Sequence, residues 1–335
     1  MASPGLWFNG PVIVRWGLES LPAVLGELGI ERPLLISSER WRGLALPIER
    51  RFHGVAPHAE AAGVAAALAL VGDADGLVAL GGGSAIDTAK AVSARSGVAV
   101  VSVPTTYSGA EWTSFYGVRD AAARVKGGGG GARTLAVIYD PVLTVGLPRG
   151  ESGGTAMNAL AHCAEALYTR EHAPDSDAVA LAGARMISRW LPAVLADGDD
   201  LEARRGLLEG AMHAGEALRA GMGVAHAMAQ ALGGRYGLAH GTMNAICLAP
   251  ALRFNDEVAR TAIARLGSAL GGAAGAAARC EELAALVAVG RLRDHGVPRE
   301  ELAEVAAAVV VRPAALANPR PVDEPAVVGM LEEVW

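Results

Sequence analysis

Short, nearly unbroken apolar runs separated by stretches of helical spacing set the pattern of the first 150 residues. Residues 11–16 (PVIVRW), 33–38 (PLLISS), 98–106 (VAVVSVPTT, ending in a polar loop) and 135–141 (LAVIYDP) predict strands. Residues 18–30 (LESLPAVLGELGI) and 59–72 (AEAAGVAAALALVG) predict helices, and residues 76–97 read as strand, glycine turn, helix. Strands alternating with helices predict a parallel sheet with α/β winding. From about Ser152 the strand-like runs vanish, and Ala/Leu-rich helical segments follow one another to Trp335. Breakers punctuate them at 148–154, 173–177, 197–200, 254–257 and 316–325. The pattern predicts two domains: residues 1–150 as an α/β unit and residues 151–335 as an all-helical unit. Residues 126–131 (KGGGGG) read as a flexible loop, with a mobile flap as the alternative. No repeat of fixed period is present.

Composition narrows the classes. The 335 residues are enough for two cores, and 52% hydrophobic residues fit a folded chain. With 4% aromatics and 43 glycines, those cores must be packed from small side chains. A net charge of −6 with singly scattered arginines gives no case for nucleic acid. Cys163, Cys247 and Cys280 form no CxxC, which suits isolated thiols in a reducing compartment. Residues 1–10 show no basic region followed by a long apolar run, and residues 305–311 (VAAAVVV) are too short to cross a bilayer. The expectation is a soluble cytoplasmic protein with no membrane partner.

Two constellations carry chemistry. Residues 81–90 (GGGSAIDTAK) follow a strand and open a helix, so glycines can let a phosphate approach the backbone and the helix N-terminus. Ser84 can cap that helix or donate its hydroxyl to phosphate. The turn alone is weak evidence; Asp87 one turn on and the Thr105–Thr106 pair after the next strand strengthen it. It is not the G-x-G-x-x-G fingerprint of an ordinary Rossmann domain. Further on, Asn158 and His162 stand at i and i+4 on one helix face, His226 and Gln230 repeat that spacing, and His240 opens the following helix. Singly, each histidine reads as a structural one; together with the glycine turn they form a pattern.

The chain resembles the iron-containing (group III) alcohol dehydrogenase superfamily, and within it the maleylacetate reductase branch. The residues that carry this are 80–93 (LGGGSAIDTAKAVS), 103–120 (VPTTYSGAEWTSFYGVRD), 137–148 (VIYDPVLTVGLP), 157–168 (MNALAHCAEALY), 223–241 (GVAHAMAQALGGRYGLAHG) and 317–322 (ANPRPV), spread over nearly the whole chain. The chain is slightly short for that family, trimmed between about Ser38 and Phe52. The resemblance implies the group III fold, with the active site in a cleft between an α/β and a helical domain, and a homodimer. It assigns Gly82, Gly83, Ser84 and Asp87 to the pyrophosphate of a nicotinamide cofactor. Thr105, Thr106 and Ser108 would line that cofactor further in, and Lys126 would reach its ribose or nicotinamide end. Residues 37–40 (SSER) put serines where many relatives carry an acid that bonds the ribose hydroxyls, so NADPH stays open as well as NADH.

In metal-dependent relatives an Asp and three His ligate Fe²⁺ or Zn²⁺; the matching positions are Asn158, His162, His226 and His240. Asn for Asp removes the one anion, although three imidazoles could still hold zinc. Gln230 stands where most relatives have a histidine, and it cannot exchange protons near neutral pH. The leading expectation is an NAD(P)H-dependent reductase of aromatic-compound catabolism. Hydride passes to the double bond of an oxo-enoic diacid, and His162, His226 and His240 meet the developing charge. Tyr107 is placed with the substrate, and Arg235, Arg253 and Lys126 are the candidate partners of its carboxylates. The alternatives are a metal-assisted alcohol or aldehyde dehydrogenase, and a fold repurposed for non-redox chemistry or ligand binding.

Overall fold

The structure is a computed structural model that describes residues 12–120 and 125–335, with Val125 and Lys126 through their backbone alone. The reading of residues 1–10, and the role expected of the Lys126 side chain, fall outside what is described. The chain divides into two units, one ending at Thr144 and the other formed by Tyr107–Gly109 and Val145–Trp335.

In chain order the first unit carries β1 (Ile13–Trp16), α1 (Leu21–Glu27), β2 (Pro33–Ser37), β3 (Arg50–Phe52), α2 (Ala61–Ala69), β4 (Gly76–Gly81), α3 (Gly83–Ser96), β5 (Ala99–Pro104), β6 (Tyr116–Asp120), β7 (Val125–Gly129) and β8 (Thr134–Tyr139). Six strands form one parallel sheet in the order β1-β8-β5-β4-β2-β3. Alternate residues feed the two faces. Leu35, Val78, Leu80 and Val101 join Leu21 and Val24 of α1, while Leu34, Leu77 and Ala79 join Val64 of α2 and Ile86 and Ala89 of α3. Strands covered on both faces are apolar at successive positions, which is why they read as unbroken runs.

The segment 126–131 is corrected by the structure. β7 pairs antiparallel with β6, from Tyr116↔Gly129 to Asp120↔Val125. Its glycines serve close approach: a Cβ on Gly128 would lie 2.7 Å from the Tyr116 carbonyl oxygen, and one on Gly129 2.5 Å from the Tyr116 hydroxyl. β3 and β6 are the other strands that the hydrophobic pattern does not announce.

α4 (Val142–Val145) covers the passage from one unit to the next. The second unit then runs through α5 (Arg149–Ala166), α6 (Pro174–Ala196), α7 (Leu201–Ala217), α8 (Val224–Tyr236), α9 (His240–Leu270), α10 (Ala276–Val287), α11 (Leu302–Val310), α12 (Pro313–Ala317) and α13 (Glu324–Glu333). Every described element after α4 is helical. Small residues bring these helices together: a Cβ on Gly183 of α6 would lie 2.9 Å from Cys163 Sγ and 3.0 Å from the Gly210 carbonyl oxygen. α6 is long and apolar enough to cross a membrane by length and composition, but it packs along α5 and α7 as a core helix. At the α5–α9 crossing a Cβ on Gly241 would lie 2.5 Å from the Gly154 carbonyl oxygen. That contact sets His240 beside the turn of α5 that carries Asn158. The three cysteines are free and buried, and burial pushes their thiols up.

Candidate active site

In the first unit the glycine turn is built for close approach. Gly81 takes φ 149°, and a Cβ there would meet Ala85 Cβ at 2.8 Å. A Cβ on Gly82 would lie 2.7 Å from Thr106 Cγ2, so the glycine lets the loop after β5 close onto the turn, where the Thr105 N–H donates to the Gly81 carbonyl at 3.1 Å. Gly82 offers α3 no side-chain cap, which leaves the leading N–H groups of Gly83 and Ser84 and the positive helix end for an anion. The Thr106 hydroxyl is buried without a hydrogen-bond partner among the described residues. A glycine cradle, an uncapped helix start and an orphaned hydroxyl fit a dinucleotide.

One residue of this region has another task than the sequence suggests. Asp87 accepts from the Gly117 N–H at 3.1 Å and pairs with Lys90 at 3.1 Å, so its carboxylate holds β6 rather than a pyrophosphate it would repel. Lys90, which sequence reasoning passed over, is buried and donates to the Ala110 and Phe115 carbonyls and the Thr113 hydroxyl. Ser84 Oγ accepts from the His58 N–H at 2.9 Å.

In the second unit the three histidines come together. The His162 and His226 rings stack with centroids 4.6 Å apart and planes 19° from parallel, and His226 lies 5.7 Å from His240. Asn158, His162 and His226 are buried, whereas His240 and Gln230 are half-buried and form the accessible edge. A carboxamide pair runs along the cluster. Asn158 Nδ2 donates to the Ser108 carbonyl at 3.1 Å, which fixes its amide orientation, and reaches His162 Nε2 at 3.3 Å. Asn244 Nδ2 donates to Asn158 Oδ1 at 2.7 Å and to His240 Nε2 at 3.1 Å. Both rings therefore accept at Nε2 and keep their own proton on Nδ1. Gly109, at φ 71°, lets the Tyr107–Gly109 segment pass close to His162: a Cβ there would be 3.4 Å from its Nδ1.

Glu165, three residues beyond His162 on α5, is fully buried and accepts from His226 Nδ1–H at 2.6 Å and from the Ala225 N–H at 2.8 Å. It thus orients the His226 ring and places an anion at the N-terminus of α8, whose first N–H groups need acceptors. Neither Glu165 nor Asn244 was singled out in the sequence, although each lies within one helical turn of a histidine that was.

The metal reading fails on this geometry. A ligating lone pair lies in its ring plane, so one ion about 2 Å from both nitrogens must lie in both planes, and nearly parallel stacked rings share no such point. Asn158 turns an N–H edge, not an oxygen, toward His162, and an N–H cannot ligate. Among the described residues no group of three or more His, Cys, Asp or Glu is placed to hold a metal. The residues present do not fit the family's metal.

Burial, reinforced by repulsion from His226 and His240, holds the His162 ring well below the usual histidine value of 6.5. The folded state thus refuses a proton that the unfolded chain takes up near 6.5, so stability is full above that pH and falls as pH drops below it. The slope from this one group is about 1.4 kcal/mol per pH unit. Denaturant unfolding from pH 7.5 to 5 should show the His162→Asn variant taking up about one proton fewer on unfolding. Identical slopes for both proteins would refute this.

The remaining candidates fall elsewhere. Tyr107 is fully buried, with its hydroxyl 3.1 Å from the buried Arg204 guanidinium, a packing role rather than a substrate contact. Ser108 contributes its carbonyl. Arg235 lies nine residues after His226, about 180° around α8, and is held by Glu301 and Glu304. Arg253 is paired with Glu281 and Glu333. Gln230, by contrast, meets an arginine not foreseen: Arg312 Nη1 lies 3.5 Å from its Oε1.

The comparisons agree with this architecture. A model of the iron-containing alcohol dehydrogenases matches residues 12–141, and one of the C-terminal part of the Fe-containing alcohol dehydrogenase family matches residues 153–335. The chain belongs to the iron-containing alcohol dehydrogenase family and is an NAD(P)-dependent oxidoreductase. Within the family it lies in the maleylacetate reductase-like branch. It is 38% identical to a maleylacetate reductase of Burkholderia cepacia over 78% of this chain and 74% of that one. With the maleylacetate reductase of Pseudomonas sp. strain P51 the identity is 33% over 95% and 93%. The crystal structure of the maleylacetate reductase of Agrobacterium tumefaciens matches with a TM-score of 0.89 and 30% identity, covering 99% of this chain and 98% of that one.

Proposed function

We propose that the protein reduces the carbon–carbon double bond of a 4-oxo-2-enedioate of the maleylacetate kind to the saturated oxo acid. The observation that carries this is the Asn158–Asn244 carboxamide pair, which occupies the Nε2 atoms of His162 and His240 and leaves the cluster to act through N–H donors. A reduced nicotinamide held by Gly82, Gly83, Ser84, Thr105 and Thr106 would supply hydride for the alkene carbon β to the ketone. The chain's part is to stabilise the charge that moves onto the ketone oxygen as an enolate. A neutral imidazole whose Nε2 already accepts a hydrogen bond is a good N–H donor to an oxyanion, and His240 is the accessible ring in that state. His226, locked by Glu165 and stacked on His162, supports its neighbour from behind. Gln230 has no proton to give, so the α carbon takes its proton from water at the accessible edge.

Gly82, Gly83, Ser84, Thr105 and Thr106 are the residues proposed for the cofactor. Both NADH and NADPH suit the end of β2. Ser37 bonds His53 at 2.8 Å there, and the nearby Glu39 carboxylate is held by Arg42, 2.7 Å from its Nη2, so no unpaired acid of this segment repels a 2′-phosphate. The buried free thiols support a reducing, cytoplasmic compartment. A place in aromatic-ring catabolism and a homodimeric state follow the family resemblance.

The test is NAD(P)H oxidation against 4-oxo-2-enedioates and simple aldehydes, with chelator or with added Zn²⁺ or Fe²⁺. The expected result is turnover of the enedioate at a rate that neither chelator nor metal alters, with little on aldehydes. Metal-dependent aldehyde turnover with the enedioate inert would overturn the proposal.

A further inference from the structure

We propose that Arg312 is the cationic seat of a substrate carboxylate, an inference that rests on the oxo-enedioate reading and supplies the charged partner that reading requires. Arg312 stands at the end of α11, as the residue that opens α12, and both helices pack on α8. Its side chain is half-buried and leans toward Gln230, one turn beyond His226 on the same face of α8. At 3.5 Å that contact is a loose one, and Gln230 offers only a neutral oxygen. The buried Nε has no hydrogen-bond partner among the described residues.

The other arginines around α8 and α9 are committed. Arg235 and Arg253 each hold two glutamates, Arg320 pairs with Glu257, and Arg265 pairs with Asp177. Burial moves the Arg312 pKa below the usual arginine value, and among the described residues no acid forms an ion pair with it. A half-buried guanidinium with donors to spare, beside the accessible edge of the histidine cluster, fits a planar anion that takes two parallel N–H bonds. A carboxylate of the oxo-enedioate is such a group. Gln230 then has a function that a histidine there would fill less well: it steers the fork without competing for the proton, and it carries no positive charge against Arg312.

The test compares wild type with Arg312→Gln and Arg312→Lys, using the full chain with NAD(P)H. Each is assayed on maleylacetate and on a neutral enone, 3-penten-2-one, after thermal melts establish that the variants are folded. For Arg312→Gln the KM for the diacid should rise roughly 10- to 100-fold while the neutral enone is unaffected, with Arg312→Lys in between. A diacid KM unchanged in Arg312→Gln, or an equal loss on both substrates, would overturn the assignment. Absence of diacid turnover by the wild type would instead count against the oxo-enedioate reading. Arg312 is then judged by calorimetric titration of succinate into the cofactor-loaded protein: weaker binding to Arg312→Gln supports the seat, and equal affinity for both proteins sinks it.

Discussion

Replacing Glu165 with Ala should cost about 3–5 kcal/mol of folding stability, and Glu165→Gln should keep most of the fold while lowering kcat roughly 10- to 100-fold. The carboxylate is fully buried and each of its oxygens has one partner, His226 Nδ1–H on one side and the Ala225 N–H on the other. Alanine leaves a ring donor and a helix-terminal donor without acceptors inside the protein, which is where lost hydrogen bonds cost most. Glutamine can still accept from Ala225 with its oxygen. Its NH₂ must then face His226 Nδ1, which forces the ring proton to Nε2 and disturbs the stack with His162. Glu165 acts through His226, so it is a positioning residue, and the expected signature is a fall in kcat with KM little changed. Denaturant unfolding and steady-state kinetics on the same preparations separate the two effects. A Glu165→Gln protein with full activity would remove Glu165 from the mechanism.

The contrast between Glu165 and the histidines shows what the sequence could disclose. His226 and Gln230, or Asn158 and His162, announce themselves because two chemically unusual residues share an i, i+4 face within Ala/Gly-rich helices. An acid three residues past His162 carries no such signal, since helices are studded with acids that face solvent. That Glu165 is buried follows from the approach of α8 to α5, where even a Cβ on Gly223 would lie 2.9 Å from Glu165 Oε1. Arg312 was hidden for the same reason. A single arginine before a proline looks like any loop cation, and the sequence gives no hint that Arg235 and Arg253 are neutralised by glutamates tens of residues away. In the first unit five of the six parallel strands were legible as apolar runs because both of their faces are covered, whereas β3, the sequence RRF at the sheet edge, was not. The β6–β7 hairpin was not, because β7 is held by main-chain pairing of glycines and has no alternating side chains to display.

Asn158→Asp tests the absence of an anion from the cluster. The carboxamide is buried, and its Nδ2 faces two acceptors, the Ser108 carbonyl and His162 Nε2. An aspartate would turn a charged oxygen onto the Ser108 carbonyl, a repulsive contact, while His162, whose Nδ1 has no partner among the described residues, can shift its proton to Nε2 and donate to the other oxygen; the expected cost is about 1–3 kcal/mol near neutral pH. Its carboxyl pKa would be raised in the folded state, so the penalty should be small below about pH 4 and grow as pH rises through the range where the unfolded chain ionises. The same change restores the oxygen ligand that metal-dependent members of the family possess. Added Zn²⁺ or Fe²⁺ should therefore raise the melting temperature of Asn158→Asp while leaving that of the wild type unmoved. The physical reason is a balance: an ion must turn the stacked His162 and His226 rings toward one point and break the amide contacts to Nε2 of His162 and His240, and only the aspartate variant offsets this with an anion. Equal stabilisation of wild type and variant by metal would show that the carboxamides do not exclude the ion, and the N–H donor role assigned to His240 would fall with them.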